Sequence, residues 1–189
     1  MPTTLALWHA DHVNFGKLLT LLEHQLALFH GGGSPDYEMM LDIMHYMTRY
    51  SDVLHHPKED LVFALIRERE RGVARRVDEL SKEHALLKRL GDELVNDLDN
   101  IVNGGIVSRE RVETTARAYL TNMRSHMRTE EAEILPLAAR LLGESDWAAI
   151  GIAIRHFEDP LFGARTEERY AALRQQIGRD ARAARAAPH

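Results

Sequence analysis

The sequence predicts an all-α protein, namely an antiparallel up-down four-helix bundle with a C-terminal helical extension. Apolar residues recur at spacings of three and four along four successive segments, which is the period of one helix face. Turn residues such as glycine separate these segments, and no stretch of useful length alternates apolar and polar residues as a strand would. We expect the bundle to occupy residues 1–143 and the extension residues 144–189.

Glycine and capping residues mark the ends of the first, third and fourth helices. The first helix carries an apolar stripe over 5–29 and ends at the glycines of 31–33, which support helical geometry poorly. The third helix carries a stripe over 73–101 and ends at an Asn-Gly-Gly turn. The fourth helix begins after Ser108, whose side chain suits an N-cap, and its stripe runs over 112–137.

The second helix contains a proline. It begins after Ser34-Pro35-Asp36, which has the pattern of an N-cap with proline in the first turn, and it runs to about Arg71. Pro57 lies inside it. Because proline removes one backbone hydrogen bond and crowds the carbonyl four residues back, we expect a kink over 53–57. Four helices of about 25 to 35 residues with short connections favour an antiparallel bundle.

The composition excludes several classes of site. The chain has no cysteine, which removes disulfides, thiolate zinc sites, iron–sulfur ligation and cysteine nucleophiles. This absence, with no signal-peptide pattern at the N-terminus, predicts a cytoplasmic protein. The net charge of -5 argues against a nucleic-acid partner, and no long uncharged run predicts a membrane span. The 11 histidines, in contrast, indicate a metal site.

Titratable side chains interrupt the apolar stripes of all four helices. The residues concerned are His12, His55, Glu59, His84, His126 and Glu130. Burying such groups without partners would cost several kcal/mol each. In the second and fourth helices a histidine precedes a glutamate by four residues, so that both side chains can reach one ion from consecutive turns.

These six residues lie at one level of the predicted bundle. His12 is about as far before the first loop as His55 is after it, and Glu59 and His84 are about equally far from the turn at Gly72, with ~1.5 Å of rise per residue. Four imidazoles and two carboxylates suit iron, manganese or zinc. Six ligands shared by two ions leave open positions, which favours binding of a small molecule. Hydrogen bonds between histidine and glutamate, without metal, are the alternative.

The register of the second helix is ambiguous. His56 and Asp60 form a competing pair one residue along, as a replacement for His55 and Glu59 or as additional ligands. Neighbouring residues differ by about 100° around a regular helix, so only one of the two histidines can face the bundle centre there. Asp52, one turn before His55, is a candidate hydrogen-bond partner of a ligand. Surface positions are expected for His9, His24, His30, His45 and His156.

The spaced residues resemble the hemerythrin family, specifically its HHE cation-binding branch. The matching segments are Asp11-His12, His55-His56-Pro57-Lys58-Glu59, Glu83-His84 and His126-Met127-Arg128-Thr129-Glu130, within roughly residues 5–142. The resemblance implies that Glu59 and Glu130 bridge two irons. It further implies that His12 and His55 bind one iron, and that His84 and His126 bind the other. The family pattern also has an apolar residue four after the carboxylate, here Phe63, which favours His55 over His56.

Two departures from the oxygen carriers of that family bear on function. Lys88 stands where the carriers have a second histidine, four after His84, and His126 is followed by Glu130 instead of by an aspartate five residues on. The pattern is therefore similar to the family's repair-of-iron-centres and iron-sensing branches. The resemblance implies a di-iron protein that binds or senses oxygen, nitric oxide or iron, with zinc or manganese as possible substitutes. A di-iron peroxidase, oxidase or iron-centre repair protein is the alternative.

The extension is predicted to contain further helices. Ser145-Asp146-Trp147 and Asp159-Pro160 have the pattern of helix starts, and an alanine- and arginine-rich helix is expected over about 165–184. One interpretation is an arm that forms a homodimer. The other is a solvated helix that lies across the bundle of its own chain.

Overall fold

The structure, a computed structural model, describes residues 4–153 and 158–186 of the chain, with side chains to residue 182. Its α-helices are α1 (Thr4–His30), α2 (Tyr37–Tyr46), α3 (His56–Arg69), α4 (Ala74–Val102), α5 (Arg109–Thr129), α6 (Leu135–Leu141), α7 (Glu144–Ala153) and α8 (Ala171–Ala186). Two π-helical segments, Met47–His55 and Glu130–Ile134, join α2 to α3 and α5 to α6. Within these residues no strand is present, which confirms the all-α prediction.

The helices form a bundle in which neighbours along the chain are neighbours in space. Helix α4 packs against α2, α3 and α5, and α1 packs against α5 and α2. The predicted second helix corresponds to α2, the first π-helical segment and α3. The predicted fourth helix corresponds to α5, the second π-helical segment and α6. None of the helices within the described residues is long and apolar enough to cross a membrane.

Two apolar clusters fill the bundle on either side of one polar layer. The larger cluster includes Phe15, and the smaller one includes Trp8. Along α1 these two residues are separated by the buried His12. Along α4, His84 follows Leu80 of the smaller cluster by one turn. The polar side chains are therefore enclosed above and below by predominantly apolar side chains.

Two π-helical segments, each followed by a proline, lie near this layer. At the position where a kink was expected, over 53–57, the helix runs through a π-helical segment in which the N–H of His56 bonds the carbonyl of Ser51. The second π-helical segment likewise ends just before a proline, Pro136, and Leu135 donates to the carbonyl of Glu130. A residue without an N–H has no bond to lose when the hydrogen-bond register shifts by one residue. Both shifts therefore stand directly before a proline.

The C-terminal extension packs on the bundle. Leu161, Tyr170 and Leu173 belong to the larger apolar cluster, and α8 lies against α2. Helix α7 begins at Glu144, close to its predicted start. The predicted helix start at Asp159-Pro160 is wrong: Asp159 accepts from the N–H groups of Leu161 and Phe162 and closes a turn instead.

The last helix also starts later than the sequence suggested. A 3-10 turn over Glu168–Tyr170 precedes α8, which begins at Ala171 and not near residue 165. Among the histidines expected at the surface, His9, His24 and His30 are exposed and His45 is half-buried. His156 lies outside the described residues.

Candidate metal centre

Seven titratable side chains lie together in the polar layer of the bundle. They are His12, His55, His56, Glu59, His84, His126 and Glu130, and each exposes 7% of its surface or less. Helix α1 supplies the first, and the first π-helical segment with the start of α3 supplies the next three. Helix α4 supplies His84, and the junction of α5 with the second π-helical segment supplies the last two. The structure thus brings together all six residues singled out from the sequence and adds His56.

The cluster divides into two groups that share one carboxylate. His12, His55 and Glu59 form the two-histidine group. His56, His84 and His126 form the three-histidine group, again with Glu59. Within each group, ligand atoms lie within 4.8 Å of one another. This spacing allows each group to surround one ion.

The two oxygens of Glu59 point to different groups. Oε1 lies 3.4 Å from Nε2 of His12 and 2.7 Å from Nε2 of His55. Oε2 lies 3.3 Å from Nε2 of His84. One carboxylate therefore faces both groups at once, as a bridging ligand must.

Glu130 repeats this arrangement from the opposite side. Its Oε2 lies 3.3 Å from Nε2 of His12. Its Oε1 lies 3.2 Å from Nε2 of His126 and 3.9 Å from Nε2 of His84. The bundle thus presents two carboxylates that each span the two histidine groups.

A second carboxylate lies behind every one of the five imidazole rings. The distances from the ring Nδ1 to the carboxylate are 2.7 Å for His12 and Glu131, 2.9 Å for His55 and Asp11, 3.2 Å for His56 and Asp52, 3.0 Å for His84 and Asp60, and 2.9 Å for His126 and Glu83. A carboxylate at this position holds the proton on Nδ1 and leaves Nε2 to bind a metal. Nε2 of His12, His55, His84 and His126 accordingly faces the bridging carboxylates. Nε2 of His56 instead lies 3.1 Å from the hydroxyl of Ser51.

Sequence reasoning missed most of these outer carboxylates. Asp11, Glu83 and Glu131 each stand next to a cluster residue in the sequence, which is the signal that could have found them. Each of them, however, pairs with a histidine on another helix: Asp11 with His55, for example, and not with its neighbour His12. Such partners depend on how the helices are rotated against each other.

The competing pair in the second helix, His56 and Asp60, is divided: one residue lies in the cluster and the other outside it. His56 belongs to the cluster, but Asp60 is about half exposed and hydrogen-bonds Nδ1 of His84. Asp52 pairs with His56 and not with His55. Both His55 and His56 are buried, because the π-helical segment ends between them and the helix there is not regular. The condition under which only one of them could face the centre, a regular helix, is therefore not met.

Lys88, which stands where the oxygen carriers are expected to have a second histidine, lies outside the cluster. The Lys88 side chain is exposed and its Nζ lies 2.6 Å from Asp92, one turn along α4. The place that a further histidine of α4 would take is therefore not filled by this lysine. The fifth imidazole of the cluster comes from α3 instead.

Electrostatics favours a protonated cluster when no metal is bound. Burial alone would lower the pKa of His12, but Glu130 and Glu59 outweigh it and raise the pKa to about 10. The pKa of His84 rises to about 11 against the same effect of burial, chiefly through Asp60 and Glu130. These imidazolium groups then act as counter-ions for the two glutamates.

In the remaining groups of the cluster, nearby opposite charges again outweigh burial in setting the pKa, with the exception of His56. Burial and the neighbouring Glu59 would raise the pKa of Glu130, yet the surrounding histidines bring it down to about 2. For His126 the carboxylates overcome burial and raise the pKa to about 9. Burial prevails only at His56, whose pKa is lowered. His56 is thus in the neutral form in which an imidazole binds a metal.

The bridging carboxylates give a direct test of whether a metal fits. Among the described residues, none of the four oxygens of Glu59 and Glu130 has a partner in hydrogen-bond geometry, nor does Nε2 of His55, although all five atoms are buried. Buried polar atoms are nearly always paired. Ions placed between the two histidine groups would satisfy these atoms together. The residues present therefore fit a metal centre with nitrogen and oxygen ligands.

Comparison with known families agrees with this geometry. The family model described as hemerythrin HHE cation binding domain matches residues 3–138. That range contains all seven residues of the cluster and their five outer carboxylates. A search of curated proteins finds no match to the chain.

Proposed function

Because the chain belongs to the hemerythrin HHE cation-binding domain family, we propose that its buried cluster holds two iron ions and binds or senses oxygen or nitric oxide. The metal-binding character comes with the family and with the buried histidines and glutamates. The number of ions, their identity and the diatomic ligand are the parts proposed. The observation that carries them is the pair of buried carboxylates whose oxygens face both histidine groups without a hydrogen bond within the described residues.

The two groups supply unequal numbers of ligands. With Glu59 and Glu130 as bridges, His12 and His55 bring the ligands of one ion to four. The three-histidine group brings the other to five. Iron with nitrogen and oxygen ligands accepts further ligands at open positions and changes its oxidation state there. The ion in the two-histidine group would therefore have more room for an added molecule than the other ion.

The surroundings of the two-histidine group favour a very small ligand. Trp8 and Phe15 are buried and flank it, with ring centroids 6.3 Å and 4.9 Å from that of His55. The indole N–H of Trp8 lies 3.1 Å from Nε2 of His12. A nitrogen that binds a metal has no lone pair left to accept a hydrogen bond, so the indole is then a free donor beside the ion. A donor in apolar surroundings suits a diatomic molecule that gains negative charge.

Iron analysis with ligand addition tests this function. The protein is produced with ample iron, its iron content is measured, and the ferrous form is mixed anaerobically with oxygen, peroxide or nitric oxide in a stopped-flow spectrometer. We expect about two irons per chain, as six or more buried ligands require, and a spectral change with a stoichiometric amount of oxygen or nitric oxide. Less than one transition metal per chain would refute the proposal. Repeated turnover of peroxide would instead identify the enzyme alternative.

A further inference from the structure

A continuous set of contacts runs from the C-terminal extension to one candidate ligand. The hydroxyl of Tyr46 donates to Oδ2 of Asp159 over 2.9 Å. The ring of Tyr46 stacks on that of Tyr50, with centroids 5.2 Å apart and planes inclined by 15°. The hydroxyl of Tyr50 lies 3.5 Å from Oδ1 of Asp11, whose Oδ2 lies 2.9 Å from Nδ1 of His55.

The outer end of this set is fixed by the extension itself. The other oxygen of Asp159 accepts from the backbone N–H groups of Leu161 and Phe162, over 2.8 and 2.7 Å. The ring of Tyr46 meets the edges of Phe162 and Tyr170, with centroids 5.8 and 5.9 Å away. Tyr46 is fully buried. The extension therefore holds both the position and the hydroxyl direction of this tyrosine.

The inner end decides how the imidazole of His55 is held. Asp11 has two oxygens, one near Tyr50 and one at His55. A carboxylate held at one oxygen has less freedom to rotate, so the direction of its second hydrogen bond is fixed. The other four outer carboxylates come from bundle residues between positions 52 and 131. Among the outer carboxylates in the described part of the chain, only Asp11 is connected by this set of contacts to a residue beyond position 138, where the family match ends.

We propose that the C-terminal extension positions His55, with Asp159 and Tyr46 as positioning residues that act through Tyr50 and Asp11. The inference rests on the proposed di-iron centre, and it concerns the ion of the two-histidine group alone. The extension thereby controls how firmly that ion is held. The three-histidine group, whose outer carboxylates belong to the bundle, is independent of the extension.

Release of iron to a chelator tests this division. Two ions in unequal groups are expected to leave in two kinetic phases. Tyr46→Phe removes only the hydroxyl bonded to Asp159, and Asp159→Asn removes its charge. Outer partners that contact a ligand change metal affinity by about 10- to 100-fold, so these more distant changes should accelerate one phase by about threefold to tenfold. The other phase should keep its wild-type rate.

Matched variants separate positioning from general loosening. Tyr170→Phe removes a hydroxyl of the same apolar cluster that makes no hydrogen bond to the described residues, and it should leave both phases unchanged. Asp60→Asn, which weakens the support of His84, should accelerate the opposite phase. The double variant of Tyr46 and Asp159 should release iron no faster than the stronger single variant, because both changes break one contact. Tyr50→Phe removes the hydroxyl near Asp11, in the middle of the same set of contacts. It tests the inference if another variant fails to fold.

The outcomes distinguish this inference from the proposed function. A wild-type protein that holds no iron contradicts the di-iron centre itself. A wild-type protein with two irons whose release is unchanged in Tyr46→Phe, Asp159→Asn and Tyr50→Phe contradicts the positioning role alone. So does equal acceleration of both phases in these variants. Acceleration of a single phase, opposite to that of Asp60→Asn, supports it.

Discussion

The two-histidine group and the three-histidine group share their bridging carboxylates but differ in how their rings pack. In the three-histidine group, His56 stacks on His84 with centroids 4.2 Å apart and planes inclined by 8°. Phe63 covers the same His84 ring at 5.5 Å. In the two-histidine group, His12 and His55 meet at 63°, with centroids 5.1 Å apart. Within the described residues the stacked pair of histidines belongs to the three-histidine group, where His126 meets both stacked rings edge-on.

Under the proposed function, the two groups would have different tasks within one layer of the bundle. The three-histidine group has the larger number of ligands and suits the retention of an ion. The two-histidine group has fewer ligands, the indole donor of Trp8 and a link to the extension. We therefore expect substitutions to have unequal effects according to the group they touch.

The largest effect is expected where both groups meet. Glu59→Ala or Glu130→Ala removes a ligand from both ions at once, so each variant should lose both irons. His45→Ala, at a half-buried histidine outside the cluster, is the control and should keep the wild-type iron content. Metal analysis of the purified variants measures this. If the control lost as much iron as the two glutamate variants, the assignment of the bridge would be wrong.

The next effect separates the groups. His55→Ala leaves one histidine for its ion, whereas His56→Ala leaves two for the other. We expect about one iron per chain after the first change, and two irons with weaker retention of one after the second, because affinity falls as ligands are removed. Iron content and the charge-transfer spectrum report both results. Greater iron loss in His56→Ala than in His55→Ala would contradict the division of ligands between the groups.

Acidity should affect both groups through the protons that a metal must displace. The raised pKa values of about 10 for His12 and 11 for His84 mean that these rings are protonated at neutral pH without metal. Their contribution to the stability of the metal-free protein is complete below the ordinary value of 6.5 and is lost as pH rises through the folded values. Iron affinity should change in the opposite sense and rise with pH.

Anaerobic calorimetry with ferrous iron measures this linkage. Titrations in two buffers of different ionisation enthalpy give the number of protons released, which should be greater than zero at neutral pH. The affinity should increase between about pH 6 and about pH 8. Binding that releases no protons and does not respond to pH would show that the histidines of the cluster are not the ligands.

The smallest effect concerns the indole donor. Trp8→Phe keeps an aromatic ring between the two-histidine group and Phe63 but removes the N–H beside His12. Iron content should not change. The dissociation rate of oxygen or nitric oxide should rise about fivefold, which corresponds to the roughly 1 kcal/mol of one hydrogen bond. Stopped-flow displacement of the bound gas gives that rate, and an unchanged rate would exclude a role of the indole in holding it.

Much of the fold and of the candidate site followed from local patterns in the sequence. Apolar spacing gave the helices because burial on one helix face requires side chains every three or four residues. His12, His84 and the pairs beginning at His55 and His126 stood out because titratable groups interrupt those stripes at one level. The position of a residue along a straight helix depends only on counting, and the structure places all six together.

The sequence alone therefore determined the helices, the level of the site and the chemical nature of its central side chains. The tertiary structure decided which atoms face each other. It placed His56 in the cluster because a π-helical segment changes side-chain directions before Pro57, and a regular period cannot foresee that change. It paired Asp11 with His55, and it carried that contact to Asp159, because such partners depend on the rotation and packing of separate helices. Asp11 and Asp159 are 148 positions apart along the chain. They join one set of contacts only when the extension packs on the bundle.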